Sequence, residues 1–248
     1  MKAYTVFSGV YDKFMRDIPY AEWCSAVTEY LRRNGRSSGR MLELGCGTGT
    51  FTMLMAREGF EMTGIDMSSD MLREACRKRK ETKLEITYEQ QDMRVFESDV
   101  KFPAIISVCD SVNYMENDFD LKSVMERVAD TLTDDGIFIF DLKTPAYYKR
   151  LGNQVFTDSI DDGTYVWEND FDEETGDNSY YITFFIRKKH GLYEKYIEEH
   201  TQHAFTDMDV RNAASKAALK VREVLGMNMK GDADWEAERV YYVLERDK

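Results

Sequence analysis

The sequence predicts an α/β fold: a mostly parallel sheet with helices on both faces, carrying an inserted antiparallel β-lid. Three observations lead there. Short apolar strand patterns alternate with amphipathic helix patterns from Arg40 to Leu142. One of those strands, "AIISVCD", is apolar almost throughout, as expected for a strand covered on both faces. After about Tyr148 the pattern becomes aromatic and strand-like, punctuated by turn residues such as "DDG" and "ETGDNS".

The elements follow in order. Trp23, Ala26, Val27, Tyr30 and Leu31 share one helical stripe, and "NGRSSG" (Asn34 to Gly39) ends it. "RMLELG" is a short buried strand ending at Gly45, and Phe51, Leu54 and Met55 continue as a helix that Gly59 closes. "FEMTGID" is a second strand ending at Asp66. Ser68 or Ser69 caps the next helix, whose buried face is Met71, Leu72, Ala75 and Cys76. "LEITYEQQD" is a third strand ending at Asp92. The helix after "AIISVCD" buries Leu121, Val124, Met125, Val128, Ala129 and Leu132, and "GIFIFDL" is a fifth strand. "YVWENDFD", "SYYITFFIRKK" and "LYEKYIEEHTQHAF" read as antiparallel hairpins. Helical pattern resumes within "DVRNAASKAALKVREVL", and "RVYYVLER" is the last strand. Residues 1–149 are therefore an α/β core with an N-terminal helical cover, 150–205 the lid insert, and 206–248 the return to the core.

Composition narrows the function classes. The chain has 248 residues and 33 Lys and Arg against 46 Asp and Glu, a net charge of −13. Such a chain has no general attraction to nucleic-acid backbones or anionic membranes. "RKRK" (Arg77 to Lys80) reads as a solvated helix end with cations at its C-terminus. The four cysteines form no CxxC pair and no metal-ligand spacing, so reduced thiols in a cytoplasmic protein are expected, with no metal. No apolar run is long enough to span a bilayer.

The chemistry centres on "MLELGCGTGT", Met41 to Thr50. A P-loop needs Lys followed by Ser or Thr after the last glycine, and Gly49 is followed by Thr50 and Phe51. The dinucleotide fingerprint is G-x-G-x-x-G, whereas Gly45, Gly47 and Gly49 are spaced G-x-G-x-G. Asp66 stands where a ribose-binding acid belongs, so a nicotinamide dinucleotide stays open, but Glu43 would repel a pyrophosphate at short range. S-adenosyl-L-methionine carries a nucleoside, a sulfonium and an ammonium, and no phosphate. It suits glycines beside a carboxylate: Asp66 accepts from the ribose hydroxyls, Asp92 from the adenine amine, and the Met93 backbone faces the ring edge.

"ELGCGTG" followed by "GIDMSSDML" and then "QDM" resembles the class I SAM-dependent methyltransferases. "VCDSVNYM" (Val108 to Met115) resembles the segment after their fourth strand, which lines the methionine moiety. "FSGVYDKFMRDIPYAEW" is similar to the N-terminal region of small bacterial members with a β-lid after the fifth strand. The resemblance implies a Rossmann-like seven-stranded sheet whose last strand is antiparallel, with the sixth near Met227–Gly231. It implies S-adenosyl-L-methionine as cofactor and S-adenosyl-L-homocysteine as product. The implied cofactor set is Tyr11, Glu43, Gly45, Cys46, Gly47, Gly49, Asp66, Met67, Asp92, Met93, Cys109, Asp110 and Asn113.

Methyl transfer from a sulfonium is an in-line displacement that mainly needs alignment and exclusion of water. No strong catalytic motif is required and none is present. Tyr4, Phe7, Tyr11, Tyr20 and Trp23 are candidates to cover the cofactor, with Trp23 read as packing. His200, His203 and Tyr11 are the candidate catalytic groups, structural histidines being the plainer reading. Trp167, Tyr180, Tyr181, Phe184 and Phe185 read as lid core, with an acceptor pocket as the alternative. The expected acceptor is a small molecule; an RNA or protein acceptor, a nicotinamide-dependent oxidoreductase and a non-catalytic SAM-binding protein stay open. No membrane partner is expected, and the chain is a monomer or homodimer.

Overall fold

The structure is a computed structural model that describes residues 11–160 and 163–247. The core runs α1 (Tyr11–Phe14), α2 (Tyr20–Arg33), β1 (Gly39–Leu44), α3 (Thr50–Arg57), β2 (Phe60–Asp66), α4 (Ser69–Lys80), β3 (Ile86–Gln90), β4 (Phe102–Ser107), α5 (Asp118–Thr131), β5 (Leu132–Lys143) and α6 (Pro145–Leu151). The lid follows as β6 (Val155–Ile160), β7 (Gly163–Asp172), β8 (Asp177–Arg187) and β9 (Tyr193–His203). The chain then returns through α7 (Asp207–Lys216), β10 (Leu219–Leu225) and β11 (Arg239–Arg246).

The main sheet has seven strands in the order β10-β11-β5-β4-β1-β2-β3, and β11 runs antiparallel to both neighbours. Strand alternation sorts the core. Leu42, Leu44, Ile105, Phe138, Phe140 and Tyr242 pack towards α5 and α7. Met41, Ile106, Ile139, Tyr241 and Val243 pack towards α2 and α3, where Trp23, Val27, Leu31, Phe51 and Met55 meet them. Each such side chain, taken fully out of water, contributes about 1.5–3 kcal/mol. Phe140 and Tyr242, opposite each other on β5 and β11, stack at 5.1 Å and help fix that pairing. Strand order reverses between β1 and β4, so the crevice at their C-terminal ends is where a ligand fits.

Ser68 caps α4, its hydroxyl accepting from the Met71 amide at 3.3 Å. Cys76, expected on that helix's buried face, is only half-buried. The third strand stops at Gln90, which leaves Asp92 in the following turn. The largest departure lies after the lid. The expected helix over "DVRNAASKAALKVREVL" stops at Lys216, and Leu219–Leu225 is the sixth strand of the sheet. The segment near Met227–Gly231, expected to be that strand, holds one 3₁₀ turn.

The lid is a separate four-stranded antiparallel sheet in the order β6-β7-β8-β9. Its inner face, Tyr180, Ile182 and Phe184, packs with Phe14 of α1 and Tyr148 of α6. Tyr181, one residue out of phase, is exposed.

Candidate functional site

The C-terminal strand ends, the α1 segment and the inner face of the lid line a cavity of about 1250 Å³ that is partly open to solvent. Its floor is the turn Gly45–Gly49 between β1 and α3. Gly47 has φ +53°, and a Cβ built there would meet nothing within 4 Å, so its backbone faces open space in the cavity. Gly49 differs. A Cβ there would lie 2.2 Å from the Tyr88 hydroxyl, and Gly49 does not line the cavity, so its lack of a side chain serves packing against β3 rather than a ligand.

Glu43 shares the β1 face of Met41 and points under α3, where Thr52 donates to its Oε2 at 2.5 Å. Burial pushes its carboxyl up to about 8; the Thr52 hydrogen bond opposes this and repulsion from Asp66 adds to it. Asp66 accepts from the Gly47 amide at 2.8 Å and from the Ser68 amide at 2.8 Å, which ties the end of β2 to the glycine turn. Burial raises its pKa and those two amides oppose the rise. Each oxygen keeps a lone pair for a ligand hydroxyl. Asp92 is held by the Arg94 amide at 2.9 Å and guanidinium at 2.7 Å, and Arg94 reaches on to Asp120 of α5 at 2.9 Å. Burial alone would raise the Asp92 pKa, but Arg94 outweighs it and keeps the carboxylate ionised. Met67 and Met93 flank these two acids on the cavity wall.

Beyond β4 the chain turns through Cys109 (φ +64°) and Asp110 (φ +53°). Two successive non-glycine residues in the left-handed region cost on the order of 1–3 kcal/mol each. A buried ion cluster holds them there. Asp110 pairs with Lys143 at 3.1 Å and with Arg239 at 2.8 Å, and accepts from Gln202 at 2.7 Å. Arg239 also binds Asp141 and lies 4.8 Å from the Trp23 ring centroid. Burial would raise the Asp110 carboxyl, but Lys143 and Arg239 hold it well below the usual range. Asp110 thus lines the cavity with its carboxylate already occupied. Asn113 stays out of the cavity: it donates to the His203 carbonyl at 2.9 Å and accepts from the Lys143 amide at 3.0 Å, pinning the last lid strand to β5. Both residues were expected at the cofactor; Asp110 is on the cavity wall and Asn113 is not, and one physical feature is common to both. Their polar groups are satisfied by protein partners.

Tyr11, Cys46 and Cys109 line the cavity, and the Tyr20 hydroxyl stands 3.9 Å from the Cys109 sulfur. Burial raises the Tyr11 phenol well above its ordinary value. It raises the Cys109 thiol to about 11, so neither group is poised to lose a proton near neutrality. Tyr4 and Phe7 lie outside the described residues. Trp23 packs, as expected, in the α2–α3 core.

Trp167, Tyr180, Ile182 and Phe184 are at once lid core and cavity wall, while Tyr181 and Phe185 are not on it. His200, 6% exposed, has Nε2 at 3.3 Å from Glu198 Oε2, and its ring meets Tyr114 edge-on at 6.0 Å. His203 Nδ1 is 2.8 Å from Asp177. Both histidines line the cavity. Lys143, Gln202 and Arg239 were not foreseen. No local pattern marks them, because the Asp110 they share lies far off along the chain, 92 residues from Gln202 and 129 from Arg239. Among the described residues no group of three or more His, Cys, Asp or Glu is placed to hold a metal, and no helix is long and apolar enough to cross a bilayer.

A family profile described as "Methyltransferase domain" matches residues 41–136. The crystal structure of a S-adenosylmethionine-dependent methyltransferase from Clostridium acetobutylicum ATCC 824 is 30% identical, covers 99% of each chain and has a TM-score of 0.87. A Geobacillus sp. (strain WCH70) protein named "Putative methyltransferase" is 29% identical over 98% of this chain and 99% of its own. A Streptomyces venezuelae dTDP-3-amino-3,4,6-trideoxy-alpha-D-glucopyranose N,N-dimethyltransferase is 31% identical over 53% of this chain and 55% of its own.

Proposed function

The chain belongs to the S-adenosylmethionine-dependent methyltransferases, and we propose that its acceptor is a small molecule held between the strand ends and the lid. The observation that carries this is the continuity of the site: a cavity of about 1250 Å³, partly open to solvent, runs from the glycine turn to the inner face of the lid. That volume suits a cofactor and a small second ligand together. Among the described lining residues the three Lys and Arg side chains, Arg94, Lys143 and Arg239, are each paired with Asp92 and Asp120, with Asp110, or with Asp110 and Asp141. None stands ready for a polyanion, which disfavours an RNA acceptor. The Streptomyces venezuelae relative acts by its name on a dTDP-linked amino sugar, a small molecule, which agrees with this reading. Free thiols at Cys24, Cys46, Cys76 and Cys109 support a cytoplasmic location.

In this reading the Gly45–Gly47 backbone, Asp66 and Asp92 hold the nucleoside, and Glu43, Tyr11 and Cys109 surround the methionine end. The cofactor, when bound, supplies a methyl group already activated by its sulfonium sulfur. The chain's own residues do the rest. Tyr11, Tyr20 and the lid aromatics exclude water, and the walls fix the acceptor's approach. His200, oriented by Glu198, is the residue best placed to take a proton from the acceptor.

The test uses methyl-labelled cofactor with a cell extract separated into metabolites, protein and RNA. Label should enter the metabolite fraction, and Gly47→Val, which fills the open space before the turn, should leave every fraction unlabelled. Label confined to protein or RNA would overturn the small-molecule reading. With the acceptor in hand, His200→Gln should lower kcat about 100-fold with little change in KM.

A further inference from the structure

Lys78 belongs to the "RKRK" run, yet it does not behave as a solvated helix end. Its side chain is 13% exposed and turns inward to Asp12 on α1, Nζ to Oδ2 at 2.5 Å, and to the Thr50 hydroxyl at 2.7 Å. Asp12 in turn accepts from the Thr48 hydroxyl at 2.6 Å. Thr48, almost wholly buried, sits between Gly47 and Gly49 in the glycine turn. One carboxylate on a one-turn helix thus joins α1, the glycine turn and α4. The same helix presents Phe14 to the lid, 5.5 Å from both Tyr165 and Phe184, and Tyr11 to the cavity.

Four residues therefore bridge the proposed cofactor end of the cavity and the lid. A helix this short has no stability of its own, so its position depends on what grips it. Charge-assisted hydrogen bonds to a largely buried lysine and a buried threonine are the strongest polar grip described on it.

We propose that Asp12 and Lys78 are positioning residues that clamp α1 over the bound cofactor, and that the clamp passes the state of the glycine turn to the lid through Phe14. This rests on the reading that the glycine turn holds the cofactor. With the clamp closed, α1 forms one wall of the cavity, and the cofactor product leaves when that wall lifts. Neither residue touches the reacting atoms; they act through Thr48 and Phe14.

The test is the dissociation rate of S-adenosyl-L-homocysteine, followed by stopped-flow tryptophan fluorescence. Asp12→Asn and Lys78→Met should each release it about 10-fold faster, as expected for loss of one charge-assisted bond. The double variant should be no faster than either single one, and Lys78→Arg should restore most of the retention. Thr48→Val removes the other arm of the grip, the bond from the glycine turn to Asp12, without disturbing a charge, and should give a similar acceleration with a melting temperature close to wild type. In hydrogen exchange, ligand addition should protect β7 and β8 around Tyr165 and Phe184 in the wild type and fail to do so in Asp12→Asn. Release rates within twofold of wild type in Lys78→Met and Thr48→Val would overturn the clamp. Equal lid protection in Asp12→Asn and wild type would overturn the link to the lid. If the wild type itself does not bind S-adenosyl-L-homocysteine, the cofactor assignment fails instead.

Discussion

Glu43 shows how one side chain can be legible in identity and hidden in state. Its place before the glycines is plain in the sequence, and so are Asp66 and Asp92 at or near their strand ends. Its protonation is not, because that depends on α3 covering the β1 face and on the Thr52 hydroxyl. The folded carboxyl is raised to about 8 from an ordinary 4.5. Between those values the folded chain binds a proton that the unfolded chain has lost. This group's contribution is thus present below about pH 4.5 and is lost as pH rises through 8. A cationic ligand reverses the preference, since it favours the ionised form. Calorimetry at pH 7 in buffers of different ionisation enthalpy should show release of on the order of one proton when S-adenosyl-L-methionine binds. Affinity should rise with pH towards 8, and Glu43→Gln should remove both effects. Gly49 and Asn113 teach the complementary lesson. Each stands in a stretch that lines the site, and each answers to a distant residue that no local pattern reveals: Gly49 leaves room for Tyr88, and Asn113 donates to the His203 carbonyl.

At the level of elements, β1 to β5 and their helices were readable because each carries the period of its own class. The exchange of helix for strand after Lys216 was not. The helix ends through Ala218, which adopts φ +55°, where a glycine would ordinarily announce the stop. The strand that follows carries a register shift between Val221 and Glu223, so its alternation is broken midway. β6 escaped for another reason: most of its side chains are exposed, leaving no apolar face to detect. The Ala218 conformation carries a prediction. Ala218→Gly should relieve left-handed strain and raise unfolding stability by about 1 kcal/mol, read as a higher urea midpoint with unchanged m-value. Methyl transfer should be unaffected, because Ala218 is not on the cavity wall.

The two sheets are joined through a few polar side chains. Gln202 donates to Asp110 at 2.7 Å and accepts from Tyr148 at 2.9 Å and Tyr180 at 2.8 Å, so one amide links β9, α6, β8 and the end of β4. Gln202→Leu leaves those partners buried without it. The expected loss is ~2–4 kcal/mol by urea unfolding, with faster amide exchange in β8 and β9 than in β1 and β4. This scale also explains which half of the cavity the sequence disclosed. The wall from Glu43 to Asp110 is built from residues near the ends of strands with their own signatures. The rest is held by partners such as Asp110 with Gln202 and with Arg239, 92 and 129 residues apart, which only the closed fold brings together.

Arg239 gives that closure an order in time. Chains emerge from the ribosome N-terminus first, so the ends of β1, β2 and β4 that line the cavity are made before β11. Until β11 slots between β5 and β10, Asp110 and Asp141 have no guanidinium between them, and Lys143 alone must steady the left-handed turn at Cys109. Two buried carboxylates short of a cation cost several kcal/mol. A nascent chain stalled before Arg239 would carry the glycine turn and its acids beside an unsettled Cys109–Asp110 turn. The left-handed turn at Cys109 and the ion cluster that holds it are therefore complete only when β11 has paired with β5, which ties that wall of the cavity to closure of the main sheet.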